Sequence, residues 1–78
     1  MPTVLRVGGF AFHIYPHDHE PAHVHAYNAD GWCKIDIATG AVRKNVKMRP
    51  PDVLQAARIV AANEKLLIRR WEEIHGHP

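Results

Sequence analysis

The chain of 78 residues is 46% hydrophobic and 23% charged, and it carries a net charge of +2 with a pI near 9.0. This length predicts one domain over residues 1–78 with a modest core, and the composition excludes a disordered chain. No apolar run reaches the ~20 residues of a membrane span, the first residues lack a signal-peptide pattern, and the single cysteine excludes an intrachain disulfide. We therefore expect a cytoplasmic protein that does not bind membranes.

The first part of the chain alternates between apolar and polar residues, as half-buried β-strands do. We predict strands over residues 4–7, 10–15, 22–27, 32–38 and 41–46, the last being the weakest because of its charge. A polar loop bounded by Pro16 and Pro21 separates the second strand from the third, and short turns containing glycine join the others. Cys33 falls on the apolar side of the fourth strand, which indicates a buried side chain rather than a reactive thiol.

The last third of the chain changes to a helical period. Pro50, Pro51 and Asp52 suit the first turn of a helix. Apolar residues then recur at helical spacing as Val53, Ala57, Val60, Leu67, Trp71 and Ile74. This pattern predicts one long helix that ends near His75, with Gly76 as its cap and Asn63 as the position where a break would fall. The predicted fold class is α+β: an antiparallel meander of four to five strands, one face covered by the C-terminal helix and the other open.

Histidines are the unusual feature of the composition. Seven occur in the chain, and five of them fall within one short stretch, namely His13, His17, His19, His23 and His25. Alternation in a strand places the rings of His23 and His25 on the same face, about 6–7 Å apart, with Val24 turned towards the core. We expect His13 to share this open face, and the loop to bring Asp18 and His19 over one end of it.

Such a set of side chains is typical of three chemistries. A divalent metal such as zinc would take His23, His25 and either His13 or His19, with Asp18 as a ligand or as a group that orients one. Metal-free acid–base catalysis, for example of RNA cleavage, would use His23, His25, His19 and Asp18. Recognition of a phosphate, base or protein is the third, and ordinary surface histidines are the alternative to all three.

A cluster of basic residues follows the predicted fourth strand. Arg43, Lys44, Lys47 and Arg49 are close in sequence and would attract phosphates, so we expect them to guide a nucleic acid. The alternative is that these charges serve solubility.

The order of several motifs resembles the bacterial domain-of-unknown-function family 4160. The matching segments are Met1-Pro2-Thr3, Gly9-Phe10, Asp18-His19-x-Pro21, His23-Val24-His25-Ala26, Ile35-Asp36-Ile37 and Leu67-x-x-x-Trp71-Glu72. The family usually has two prolines before the first histidine of the pair, and here the second is Ala22. The resemblance implies that Asp18, His19, Pro21, His23 and His25 form the family's characteristic set. It also implies a neighbouring protein of domain-of-unknown-function family 2442, in an arrangement like a toxin–antitoxin pair.

Three functional hypotheses follow, and the sequence leaves open whether the protein is an enzyme. The first is a toxin-like or regulatory component of a two-protein module that acts on RNA or DNA and has an antitoxin-like partner. The second is a metal-binding protein or metal-dependent hydrolase. The third is a non-enzymatic interaction domain that binds a partner chain or forms a homodimer through the open face or an edge strand.

Overall fold

The computed structural model describes residues 3–76. Five strands form one antiparallel sheet in which each strand pairs with its neighbours in sequence, so the order is β1-β2-β3-β4-β5. The strands are β1 (Thr3–Val7), β2 (Phe10–His13), β3 (His23–Tyr27), β4 (Trp32–Asp36) and β5 (Val42–Val46). The predicted α+β class and the five-stranded antiparallel sheet are confirmed.

Two strands, β2 and β4, end two residues earlier than predicted because local hydrogen bonds replace the ladder. β2 ends at His13, and the backbone N–H of Tyr15 donates to the Asp18 carboxylate instead of to a neighbouring strand. β4 ends at Asp36, where the N–H of Gly40 donates to the Asp36 carbonyl and closes a turn. The turn between β3 and β4 is closed by the Asn28 side chain, whose oxygen accepts from the N–H groups of Asp30 and Gly31.

The prediction of one long C-terminal helix is wrong, because two helices are present. Helix α1 (Pro50–Ala62) and helix α2 (Glu64–His75) are separated at Asn63, whose backbone leaves the helical region at φ −122° and ψ 25°. The Asn63 side-chain amide donates to the carbonyl oxygen of Ile59, and so it competes for a carbonyl at the end of α1. Gly76 caps α2 in the left-handed conformation, as predicted. None of the helices within residues 3–76 has the length and apolar character that crossing a membrane requires.

The core lies between one face of the sheet and the two helices. Its members are Phe10, Phe12, Ile14, Val24, Ala26, Cys33, Ile35, Ile37, Met48, Ala56, Val60, Leu67 and Trp71. The predicted burial of Val24 and Cys33 is confirmed. Burial raises the pKa of the Cys33 thiol to about 11, which keeps it protonated and unreactive near neutral pH.

Candidate functional site

The loop between β2 and β3 folds back so that one carboxylate faces the start of β3. The backbone N–H of Tyr15 donates to Asp18 Oδ2 over 3.0 Å, and the N–H of Asp18 donates to the Tyr15 carbonyl over 3.0 Å. These two bonds fix both the backbone and the side chain of Asp18. The carboxylate is thereby held towards His23 and His25 rather than free in solvent.

His23 is buried and its ring orientation is set by the loop. Its Nδ1 lies 2.9 Å from the carbonyl oxygen of Pro21. Because a carbonyl only accepts hydrogen bonds, Nδ1 must carry the proton, and Nε2 of the neutral ring then has a free lone pair. That Nε2 lies 3.5 Å from Asp18 Oδ2. The indole of Trp71 lies beside the ring, with the two centroids 5.4 Å apart.

His25 presents a nitrogen to the same carboxylate. Its Nδ1 is buried 3.8 Å from Asp18 Oδ2, and no hydrogen-bond partner for this atom exists among residues 3–76. Burial lowers the pKa of His25, and the nearby cation Lys34 acts in the same direction, while Asp18 opposes the shift. The ring is therefore neutral at neutral pH, which is the state that binds a metal.

Asp18, His23 and His25 each offer one ligand atom, and these atoms all lie within 4.8 Å of one another. Ligand atoms at about 2.0–2.1 Å from a tetrahedral zinc ion lie about 3.3–3.5 Å apart. The two measured contacts to Asp18, 3.5 and 3.8 Å, are close to that spacing and too long for good hydrogen bonds. Two histidines and one carboxylate leave further coordination positions open, as catalytic metal sites do.

Asp18, His23 and His25 line a cavity of about 430 Å³. Its walls also include His17, His19, Glu20, Lys34, Asp36 and Arg43. Asp36 is buried and accepts from the Arg43 guanidinium, with Nε at 2.7 Å and Nη2 at 2.6 Å from the same oxygen. That pairing neutralises the Asp36 carboxylate, and Lys34 remains as a cation beside the three clustered side chains.

Residues 9–72 match the family model described as Domain of unknown function (DUF4160). The chain belongs to this family. The matched segment contains the whole Asp18–His25 region and α2 as far as Glu72, so the resemblance predicted from the sequence is confirmed. No curated protein and no solved structure matches the chain.

The other histidines of this DUF4160 chain lie apart from the cluster. His13 pairs with His25 across β2 and β3, but its Nε2 lies 3.2 Å from the Thr3 hydroxyl. Within residues 3–76, His13 does not belong to the group of ligand atoms formed by Asp18, His23 and His25. His17 and His19 are exposed on the loop and line the cavity. His23 is less accessible than expected for an open sheet face, because the loop and Trp71 cover it.

The four basic residues predicted to guide a nucleic acid have different environments. Arg43 pairs with Asp36 at the cavity, and Arg49 pairs with Asp30 over 3.4 Å just before α1. Lys44 Nζ lies 5.7 Å from the centre of the Trp32 ring on the sheet, and Lys47 is exposed in the turn after β5. Two of the four charges are therefore compensated by carboxylates.

Sequence reasoning missed Lys34 and Asp36 as neighbours of the site. The pairing of β3 with β4 sets His25 opposite Lys34 and His23 opposite Asp36. The short turn between these strands could have predicted both pairs, because a tight antiparallel hairpin fixes which residues face each other across it. Glu20 and Trp71 were also missed: the Trp71 indole donates to the Glu20 carboxylate over 3.2 Å, a contact between residues 51 positions apart that no local pattern predicts.

Proposed function

We propose that this protein is a metal-dependent hydrolase in which Asp18, His23 and His25 bind one divalent transition metal, with zinc as the first candidate. The observation that carries the proposal is that the buried Nδ1 of His25 has no hydrogen-bond partner within residues 3–76 and faces Asp18 Oδ2 at 3.8 Å. His13 Nδ1 and His75 Nε2 also lack a partner there, but neither belongs to the group with ligand spacing. A buried polar nitrogen without a partner costs free energy, and a shared cation would satisfy it together with the other two ligands.

The surroundings of the ligands support a metal more than an isolated ion pair. Histidines that bind metals usually donate their second N–H to a backbone carbonyl or a carboxylate, and His23 does so to Pro21. The carboxylate of Asp18 is also oriented by a hydrogen bond, which it accepts from the backbone N–H of Tyr15. Both supports orient the ligands before any metal arrives.

The chemistry expected at such a centre is hydrolysis of an anionic substrate. A metal ion held by Asp18, His23 and His25 would supply Lewis-acid activation of water. The water oxygen would bond to the electrophilic atom of the substrate as the bond to the leaving group breaks, the water proton would pass to solvent, and solvent would protonate the leaving group. Lys34 at the cavity wall favours a substrate with negative charge.

The test is a titration of metal-free, untagged protein with zinc against a chromophoric chelator. We expect one site per chain and a loss of affinity of at least a hundredfold in Asp18→Asn, His23→Ala and His25→Ala. His13→Ala, His17→Ala and His19→Ala are matched controls, and we expect their affinity to stay within threefold of that of the wild type. Equal losses in both groups, or no stoichiometric binding by the wild type, would contradict the proposal.

A second candidate uses the same side chains without a metal, as a toxin-like RNA-cleaving component of a two-protein module. The rings of His23 and His25 are 5.2 Å apart, which suits one acid and one base on either side of a phosphate. Asp18 would orient the His23 ring, and an antitoxin-like partner would cover the cavity. RNA cleavage that persists in excess chelator would favour this candidate, whereas cleavage restored only by added metal would favour the first.

A further inference from the structure

The open face of the sheet carries a continuous aromatic surface beside Asp18, His23 and His25, which together are called the metal-ligand cluster. Tyr27 and Trp32 face each other across β3 and β4, with ring centroids 6.1 Å apart. His25 lies 5.5 Å from the Trp32 ring, and His13 lies 4.8 Å from the Tyr27 ring. These rings are half-buried, so their outer surfaces stay accessible on a face that the helices do not cover.

Cations surround this aromatic surface. Lys34 and Lys44 lie opposite each other on β4 and β5, in the same cross-strand row as His25. Arg6 lies on β1 opposite Ala11. Burial lowers the pKa of the neighbouring His13, and the charge of Arg6 acts in the same direction. The carboxylates nearby are Asp18, in the metal-ligand cluster, and Asp36, which Arg43 neutralises. The face is therefore positive overall and fits a polyanion.

The combination of stacking surfaces and cations selects one class of polyanion. Unpaired bases stack on aromatic side chains, while their phosphates pair with lysine and arginine. A duplex hides the flat surfaces of its bases and would gain only the charge contacts. Lys44 Nζ lies over the Trp32 ring, 5.7 Å from its centroid, so a phosphate-binding group adjoins a stacking ring.

We infer that the open sheet face binds single-stranded nucleic acid, with bases on Tyr27 and Trp32 and phosphates on Lys34 and Lys44. This inference names a substrate class for the proposed function. Binding of the strand stands on its own, whereas hydrolysis of the strand rests on the proposed function. A strand that crosses the face along the row from Lys44 to His25 reaches the Asp18–His23–His25 cluster. The phosphodiester beside His25 would then lie next to the side chains that would hold the metal.

The experiment measures binding alone, on metal-free protein in chelator, so that it does not depend on the metal. A fluorescent single-stranded RNA of eight nucleotides, the same sequence as DNA, and its duplex are titrated by anisotropy. We expect the single strands to bind at least tenfold more tightly than the duplex. The double variant Lys34→Ala/Lys44→Ala should bind at least tenfold more weakly, and its slope of log affinity against log salt should be shallower by about 1.4.

Matched variants separate this surface from general charge and from folding defects. Lys65→Ala/Arg69→Ala removes two charges from exposed positions of α2, and we expect it to bind within twofold of the wild type. Trp32→Leu should lose roughly tenfold in affinity, and Trp32→Phe, which keeps a stacking ring, should stay within threefold. Equal weakening by the two double variants, or a preference for duplex, overturns the inference. Loss of metal binding with strand binding intact contradicts the proposed function alone.

Discussion

The indole Nε1 of Trp71, on helix α2, donates a hydrogen bond of 3.2 Å to the carboxylate of Glu20, in the loop that contains Asp18 of the Asp18–His23–His25 cluster. Two positions before Glu20 in the loop is Asp18, and one position after it is Pro21, whose carbonyl fixes the His23 ring. The helix therefore does more than fill the core. It holds the loop that orients two of the three clustered side chains.

We predict that Trp71→Phe weakens zinc binding roughly tenfold, because the ring still fills most of the core site but no longer holds Glu20. The free energy of unfolding should fall by only about 1–2 kcal/mol. Chelator competition measures the first effect and urea denaturation the second. Glu20→Gln keeps an oxygen that accepts from the indole, and its zinc affinity should stay within twofold. Wild-type affinity in Trp71→Phe would show that the loop is held without this bond.

Gly31 should be intolerant of any side chain. A Cβ at this position would collide with the carbonyl oxygen of Val46, because β5 passes directly over the turn between β3 and β4. We predict that Gly31→Ala lowers the free energy of unfolding by about 1–3 kcal/mol. Gly9→Ala is the matched control, since no atom of residues 3–76 lies within 4 Å of a Cβ at that position. Thermal or urea denaturation compares them, and equal stability of the two variants would contradict the packing described.

Cys33 should resist thiol reagents in the folded protein. Burial raises its pKa from 9.0 to about 11, so almost no thiolate exists at pH 8. A disulfide reagent at that pH should label the chain only after denaturation. The pKa of Cys33 is higher in the folded than in the unfolded protein, so burial of the neutral thiol stabilises the fold. This stabilisation is fully present below pH 9 and is lost as the pH rises towards 11. Cys33→Ala should therefore show a shallower alkaline loss of stability, and rapid labelling of native protein would refute the assignment.

Much of the fold was predictable because each strand has its own alternating pattern. In the strands that contain Val24 and Ile35, every second residue is apolar, and this periodicity is enough to identify the buried face. The sequence marked Asn63 as the position where a break would fall, but the apolar pattern resumes at Leu67 and therefore predicted one helix, whereas the backbone dihedral angles and the Asn63 side-chain bond to Ile59 show two. Periodicity reports which face is buried and says little about where a helix ends.

The candidate site was predictable in part. Alternation brought His23 and His25 to one face, and their rings are indeed neighbours, with centroids 5.2 Å apart. The third member depends on how the loop folds, and the sequence left His13, His19 and Asp18 as alternatives. The backbone bond from Tyr15 to Asp18 decides which side chain meets the pair. The acceptor is the Asp18 carboxylate, but the donor is a backbone N–H, which every residue except proline has, so residue type alone does not predict the bond.

The most direct test of the proposed metal centre is an anomalous-difference map from crystals of untagged protein loaded with zinc. We predict one strong peak about 2.0–2.2 Å from Asp18 Oδ, His23 Nε2 and His25 Nδ1, the usual distances for zinc with these ligands. A peak at His17 or His19 instead, or no peak among the three side chains in fully loaded crystals, would contradict the account.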